Sequence, residues 1–510
     1  MKKYRLLMLT TLIISGCSMV YELIISAVSS YLVGDSTLHY SITIGLYMFA
    51  MGVGSYLSKF IKKDLFNWFA NIEIGVGVIG GFSSLLLFLS NLYLESYEIV
   101  MYIEIILIGT IVGAEIPVLT RIIENDNKDL RITLSSLFSF DYIGGLIGSV
   151  AFPLLLMPKL GFFATSFMAG TFNLICASLI VFKYQDRIKR ARLYKTLTLI
   201  LMLLMIFGMI VSENIGRFIE DGLYRDTVVM SEQTPYQKIV VTRHKDDVRL
   251  YIDGNVQFSS MDEYRYHEAL VHIPMSVTVD RSEVLILGGG DGMAARELLK
   301  YPETNITMID LDSEMTRICS ENKVISELNQ GSLKSDRLTI INMDAYEYLE
   351  NCDKKYGVVI VDLPDPNNEA LAKLYSNVFY RMCGNVLEED GVINVQSTSP
   401  YYATKSFWSV TKTLESEGFT VAPYHLQVPA FGDWGFNMAV KNSSNQYIND
   451  VEKIKVDNGI ETKYLTADNI PALFKFGKDE MPKEGDIVEV NQLTKPVMIQ
   501  YYNDAVRNWE

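Results

Sequence analysis

Two hydrophobic patterns divide this chain. Up to about residue 213, apolar residues come in long unbroken runs; beyond Arg225 they come in short runs separated by polar and glycine-rich turns. Seven apolar stretches, near 5–33, 40–60, 68–92, 98–122, 131–158, 160–182 and 195–213, approach or exceed the roughly 20 residues that cross a bilayer. "LTLILMLLMIFGMIV" carries no charge at all. The pairs Gly77/Gly81, Gly109/Gly113 and Gly144/Gly148 have the spacing that lets two helices approach closely. "MKKYRLLMLTTLIISGCS" has the look of a lipoprotein signal ending at Cys17, but the run continues to Val33, so an uncleaved first span is expected.

The second pattern starts with short β-type runs, "PYQKIVVTRH" and "DVRLYID", and the turn "DGN" before "VQFSS". A small antiparallel β unit is expected there. "MDEYRYHEALVHIP" reads as a helix ending at Pro274. From "EVLILGG" onward, strands and helices alternate through "GVINVQS" and "SFWSVTKTLESEG". Such alternation means a mostly parallel sheet wrapped by helices. The expected architecture is an α-helical membrane bundle (1–213), a small antiparallel β domain (214–262), an α/β methyltransferase-like Rossmann domain (263–445), and a C-terminal extension (446–510) to which the sequence assigns no role.

Charge sharpens the division. Residues 1–213 hold 16 Lys+Arg and 14 Asp+Glu, which leaves 45 − 16 = 29 basic and 60 − 14 = 46 acidic residues for 214–510. The C-terminal part, near −17, is a poor partner for nucleic acid. In the apolar part, Lys2, Lys3 and Arg5, then Lys59, Lys62 and Lys63, then Arg121, Lys128 and Arg131, then "KYQDRIKRARLYK" fall in alternate loops. All four groups place the N-terminus in the cytoplasm. Glu22, Glu73, Glu104, Glu115 and Asp141 lie inside the runs, where carboxylates face a partner or a cavity. Five cysteines and five histidines show no metal-binding or disulfide spacing, and no metal is expected.

The chemistry gathers at strand ends. Gly288, Gly289, Gly290 and Gly292 let the backbone turn sharply against a ligand. Asp310 ends the next strand, about 20 residues on, where a carboxylate accepts ribose hydroxyls. Asp344 follows the third strand, within reach of an adenine edge. Together these strand ends specify an adenosine-type ligand. Asp291, in the glycine turn, would repel a pyrophosphate but suits a cationic tail. "VIVDLPDP" adds Asp362 and Asp365 at the end of the fourth strand, two carboxylates able to hold an ammonium and accept its proton.

The set "PYQKIVV … LYIDGNVQFSSMDEYRYHEALVHIP … VLILGGGDGMAAREL … MIDLD … DAYEYL … VIVDLPDP … LYSNVFY" resembles the spermidine synthases, the polyamine aminopropyltransferases, over about 225–440. "MVYELI" and "VPAFGDWGFNMA" are similar to their multi-pass, membrane-attached branch. The resemblance implies transfer of the aminopropyl group of decarboxylated S-adenosylmethionine to putrescine or a similar amine. It gives spermidine and 5′-methylthioadenosine, with no metal or redox cofactor. By motif match it implies Asp362 as the general base and Asp365 as a second amine holder. Asp291 and His267 match contacts to the amine or aminopropyl portion. Gln237 and Asp310 match nucleoside contacts, Asp344 and Ala345 the adenine pair, and Tyr266 the lining of the amine channel. Met293, Asp310, Ala345 and Glu369 depart from residues common in the family, which leaves the acceptor open. Asp433 and Trp434 are placed to line the acceptor pocket.

Two other readings stand beside this one: an S-adenosylmethionine-dependent small-molecule methyltransferase, and a polyamine sensor or transporter with a binding-only soluble half. The partners expected are a small amine and the lipid bilayer, with room for a homo-oligomer, and the location is the cell membrane. Supply of the sulfonium donor leans towards a cytoplasmic catalytic domain. Seven spans with a cytoplasmic N-terminus favour the other side.

Overall fold

The computed structural model describes residues 5–33, 36–94, 97–125, 130–224, 226–441 and 445–509. Lys2, Lys3 and Lys128 lie outside them. The chain forms two compact units that part at Thr227.

The first unit is helical: α1 (Arg5–Val33), α2 (Ser36–Leu57), α3 (Leu65–Tyr93), α4 (Tyr97–Gly113), α5 (Glu115–Glu124), α6 (Leu130–Ala151), α7 (Met157–Lys183), α8 (Ala191–Ile210) and α9 (Ser212–Leu223). Residues 214–223, which the sequence groups with the small β domain, belong to α9. Six helical stretches among the described residues are long and apolar enough to cross a membrane. The count differs from the seven expected because Leu134–Lys183 is one helical stretch of 50 residues. It turns at Gly161, with φ 69° and ψ −176°. Only glycine occupies that region readily, so the chain can reverse there without a loop.

Register gives the helix directions. Gly144 packs on the Leu12 carbonyl and Gly148 on that of Gly16, so α6 runs parallel to α1. Ser84 Oγ donates to the Phe162 carbonyl, Ser166 Oγ to that of Gly80, and Asn173 Nδ2 to Glu73, so α7 runs antiparallel to α3. One apolar cluster joins Leu7, Phe66, Ile122, Leu137 and Ile180, where α1, α3 and α6 begin and α5 and α7 end. Another joins Val28, Leu87, Tyr97 and Ile219, where α1 and α3 end, α4 begins and α9 packs. The chain therefore leaves this unit at the end opposite its start.

All three glycine pairs sit at such contacts. A Cβ on Gly113 would strike the Met51 backbone, and one on Gly148 the Gly16 carbonyl. Gly148→Val should cost about 1–3 kcal/mol by overpacking, read as a lower midpoint in thermal unfolding of the solubilised protein.

The second unit opens with a four-stranded antiparallel sheet of β1 (Thr227–Gln233), β2 (Lys238–His244), β3 (Asp247–Ile252) and β4 (Asn255–Ser259). A seven-stranded sheet follows: β5 (Glu283–Gly288), β6 (Asn305–Asp310), β7 (Leu338–Asn342), β8 (Tyr356–Asp362), β9 (Leu387–Gln396), β10 (Thr420–Val428) and β11 (Gly432–Val440), in the order β10-β11-β9-β8-β5-β6-β7. The strands β9, β8, β5, β6 and β7 are parallel; β10 and β11 close one edge antiparallel. Strand order reverses between β5 and β8, the crevice where such sheets bind ligands. Gly288 and Asp362 are register partners there.

The helix Glu263–Val277 does not stop at Pro274 as its sequence suggests. Proline cannot donate to the Leu270 carbonyl. Asn394 Nδ2 does so instead, at 2.8 Å, and Tyr424 Oη donates to the neighbouring Ala269 carbonyl at 2.8 Å. With side chains replacing the missing donor, the helix continues for another three residues to Val277.

Candidate active site

The glycine turn is built by close approach. Gly288 has φ 89° and its Cα faces the Asp362 carbonyl, where any Cβ would collide. A Cβ on Gly290 would strike the Asp310 carboxylate. The turn thus brings the ends of β5, β6 and β8 together.

Around it the expected residues converge. Tyr266 Oη donates to Asp362 Oδ1 at 2.6 Å. His267, next along the same helix, places Nε2 4.0 Å from Asp291 Oδ2. Asp291 is itself held in place: Oδ1 accepts from the Met293 amide at 2.8 Å, and Asn329 Nδ2 donates to its carbonyl at 2.9 Å. Asp365 lies at the start of the loop after β8, with Gln396 Nε2 at 3.3 Å and Thr398 and Tyr502 beside it.

Electrostatics follow from this packing. Desolvation raises Asp362 to about 6; the Asp291 charge adds to the rise, while His267 and the Tyr266 hydrogen bond oppose it. Desolvation also raises Asp365 to about 6, against its hydrogen bonds from Gln396, Tyr502 and Thr398. Asp310, desolvated at the end of β6, rises to about 6 as well. Burial works against a charged His267, but the hydrogen bond and charge of Glu263 outweigh it and raise the imidazole to about 9. These are the shifts expected of carboxylates buried close together.

Two further expected residues have protein partners of their own. Gln237 Nε2 donates to Asp312 Oδ2 at 3.0 Å, and Thr234 Oγ1 donates to the same oxygen at 2.7 Å. Asp344 Oδ1 caps the next helix through the Tyr346 amide at 2.8 Å, and Oδ2 pairs with Lys373 Nζ at 2.7 Å. Ala345 is buried in the first turn of that helix. Asp433 Oδ1 is paired with His425 Nδ1 at 2.8 Å. Trp434 packs on Phe431, whose ring meets that of Tyr266 edge-on at 6.0 Å.

Sequence reasoning missed Asp312, Thr398 and Tyr502. Asp312 was visible only as the second acid of "LD". Thr398 is β-branched yet has φ 58°, an uncommon backbone state for such a residue. Tyr502 comes from the helix Val497–Trp509 in the extension that carried no expected role. Tyr502→Phe should raise KM for the amine roughly fivefold, the loss of about 1 kcal/mol, with kcat nearly unchanged in steady-state kinetics.

Comparison with known proteins decides the family. Residues 263–451 match the spermine/spermidine synthase domain. A polyamine aminopropyltransferase of Leptospira interrogans is 39% identical over 506 residues, 99% of this chain and 98% of the relative. The chain belongs to the polyamine aminopropyltransferase family. An aminopropyltransferase of Oceanobacillus iheyensis is 37% identical, covering 98% of this chain and 96% of its own. The similarity to these aminopropyltransferases thus includes the helical unit. A crystal structure of spermidine synthase in complex with the transition-state analogue AdoDATO is 26% identical, with a TM-score of 0.45, covering 50% of this chain and 88% of that one.

Proposed function

We propose that the second unit transfers the aminopropyl group of decarboxylated S-adenosylmethionine to a linear amine, with putrescine as acceptor. The observation that carries this reading is the meeting of Asp291, Asp362, Tyr266 and His267 at the reversal of strand order. Asp310 holds the ribose, and Asp344 and Ala345 face the adenine. Gln237 acts on the nucleoside side through Asp312. Asp291 faces the propylamine tail, which has no carboxylate to oppose it.

An amine attacks only when neutral. Asp362 takes the proton from the attacking nitrogen, and Tyr266 fixes the orientation of its carboxylate. The nitrogen lone pair forms a bond to the propyl carbon beside sulfur. The carbon–sulfur bond breaks, and its electron pair stays on sulfur as the neutral thioether of 5′-methylthioadenosine. Asp365, steadied by Gln396 and Tyr502, holds the far ammonium of the acceptor. Most of the rate gain then comes from holding both reactants in line.

The test is release of methylthioadenosine by the solubilised full chain given the donor and putrescine. Stoichiometric appearance with spermidine supports the reading. A folded sample inert with every diamine and triamine rejects it.

The helical unit is proposed to span the membrane seven times, with the stretch Leu134–Lys183 crossing twice about Gly161. Of the 13 Lys and Arg among the described residues up to 213, all but Lys159 fall at the end where α1 starts. Basic loops mark the cytoplasmic face. Residues 211–224, leaving at the other end, then lie on the non-cytoplasmic side, against the lean drawn from donor supply. In a Cys352→Ser background, Asn214→Cys should react with an impermeant maleimide in intact cells and Lys62→Cys only after lysis. The reverse pattern would overturn this orientation.

A further inference from the structure

We propose that the helical unit carries a second site for a protonated linear amine, separate from the transferase cleft. A cavity of about 610 Å³ opens in this unit, lined by Glu115, Asp141, Thr120, Ser55, Leu134 and Phe138 among others. That volume is within the range of small-molecule sites and far above what a single metal ion needs. Carboxylates alternating with apolar surface suit a chain of methylenes ending in ammonium groups.

Glu115 is the decisive residue. Its side chain is more than nine-tenths buried, it lines the cavity, and its Oε1 has no hydrogen-bond partner. Thr120 Oγ1 is likewise buried without a partner. An unpaired carboxyl oxygen in an apolar bundle is costly, and a cationic ligand is one partner that would satisfy it. Glu73 lies beside Glu115, with Asn173 Nδ2 donating to its Oε2 at 3.4 Å.

Pro117, which also lines the cavity, has no N–H to give to the Gly113 carbonyl, although the backbone keeps helical dihedrals through Ala114, φ −82° and ψ −15°. Arg121, at the edge of the cavity, does not compete for the carboxylates. Its guanidinium donates to the carbonyls of Pro117, Ser58 and Ile61, at 3.1, 2.7 and 2.8 Å.

This inference does not depend on the transferase reading. The experiment is equilibrium dialysis of labelled spermidine against the full chain in lipid nanodiscs, with turnover measured on the same samples. Glu115→Gln should lose about one bound equivalent per chain, or bind it more than tenfold more weakly, with turnover kept within twofold. Gly52 lines the cavity and a Cβ there meets nothing within 4 Å. Gly52→Leu should therefore fill the space without disturbing the helices and give the same loss. Binding equal to wild type in both variants overturns the proposal. If the wild type shows no turnover but loses its bound amine on Glu115→Gln, the membrane site stands and the transferase reading falls.

Discussion

Asp362→Asn should lower kcat by roughly 10²- to 10⁴-fold, the usual contribution of a positioned general base. The amide keeps the shape of the side chain and can still accept from Tyr266, so binding of the donor should change little. Rapid-quench kinetics with the donor saturating would separate the two effects. The wild-type pH profile should match. With Asp362 and Asp365 both raised to about 6 and both needed as carboxylates, kcat/KM should fall by up to about a hundredfold per unit below that pH. It is flat above, until His267 loses its proton near 9.

Stability runs in the opposite sense over part of this range. The folded Asp362 holds its proton more tightly than the unfolded one, so stability falls as pH rises from about 4 to about 6. His267 also has a folded value above its unfolded one. Its contribution is full below about 6.5 and is lost as pH rises through about 9. The pH range in which Asp362 ionises is thus the range in which the fold loses some stability.

Arg296→Met should destabilise the second unit by about 3–5 kcal/mol, the cost of stripping the partner from buried charges. Arg296 is buried and gives two nitrogens to Glu263, each at 2.9 Å, and Nε to Glu297 at 2.9 Å. Glu263 Oε2 accepts His267 Nδ1 at 2.8 Å, so the same network aims the imidazole at Asp291. His272 Nε2 and Lys300 meet the other oxygen of Glu297. Without the guanidinium, two carboxylates keep only part of their pairing. The urea midpoints for tryptophan fluorescence and for turnover should fall together. A loss of turnover with an unchanged fluorescence midpoint would confine Arg296 to positioning His267.

Legibility in the sequence followed the range of the contacts. The glycine turn and the acids Asp291, Asp310 and Asp362 sit at strand ends a few residues from apolar runs, so local pattern found them. Asp365 followed from its spacing to Asp362. The long apolar runs were equally plain, and the glycine pairs proved to be where helix backbones meet. Contacts across long stretches were not legible. Gln237 was expected from a local motif, but its partner Asp312 lies 75 residues away and carried no expectation. Tyr502 meets Asp365 from the far end of the chain, and nothing local marks it. Continuation of a helix through Pro274 depends on Asn394, 124 residues from the carbonyl it serves. The reversal at Gly161 depends on one backbone conformation that composition does not encode.

Calorimetric titration of the wild-type protein with decarboxylated S-adenosylmethionine, then with S-adenosylmethionine itself, tests the acidic cleft most directly. The two ligands differ by the carboxylate that would face Asp291. The decarboxylated donor should bind at least tenfold more tightly, a difference of about 1.4 kcal/mol or more. Equal affinity, or a preference for the parent compound, would contradict the account.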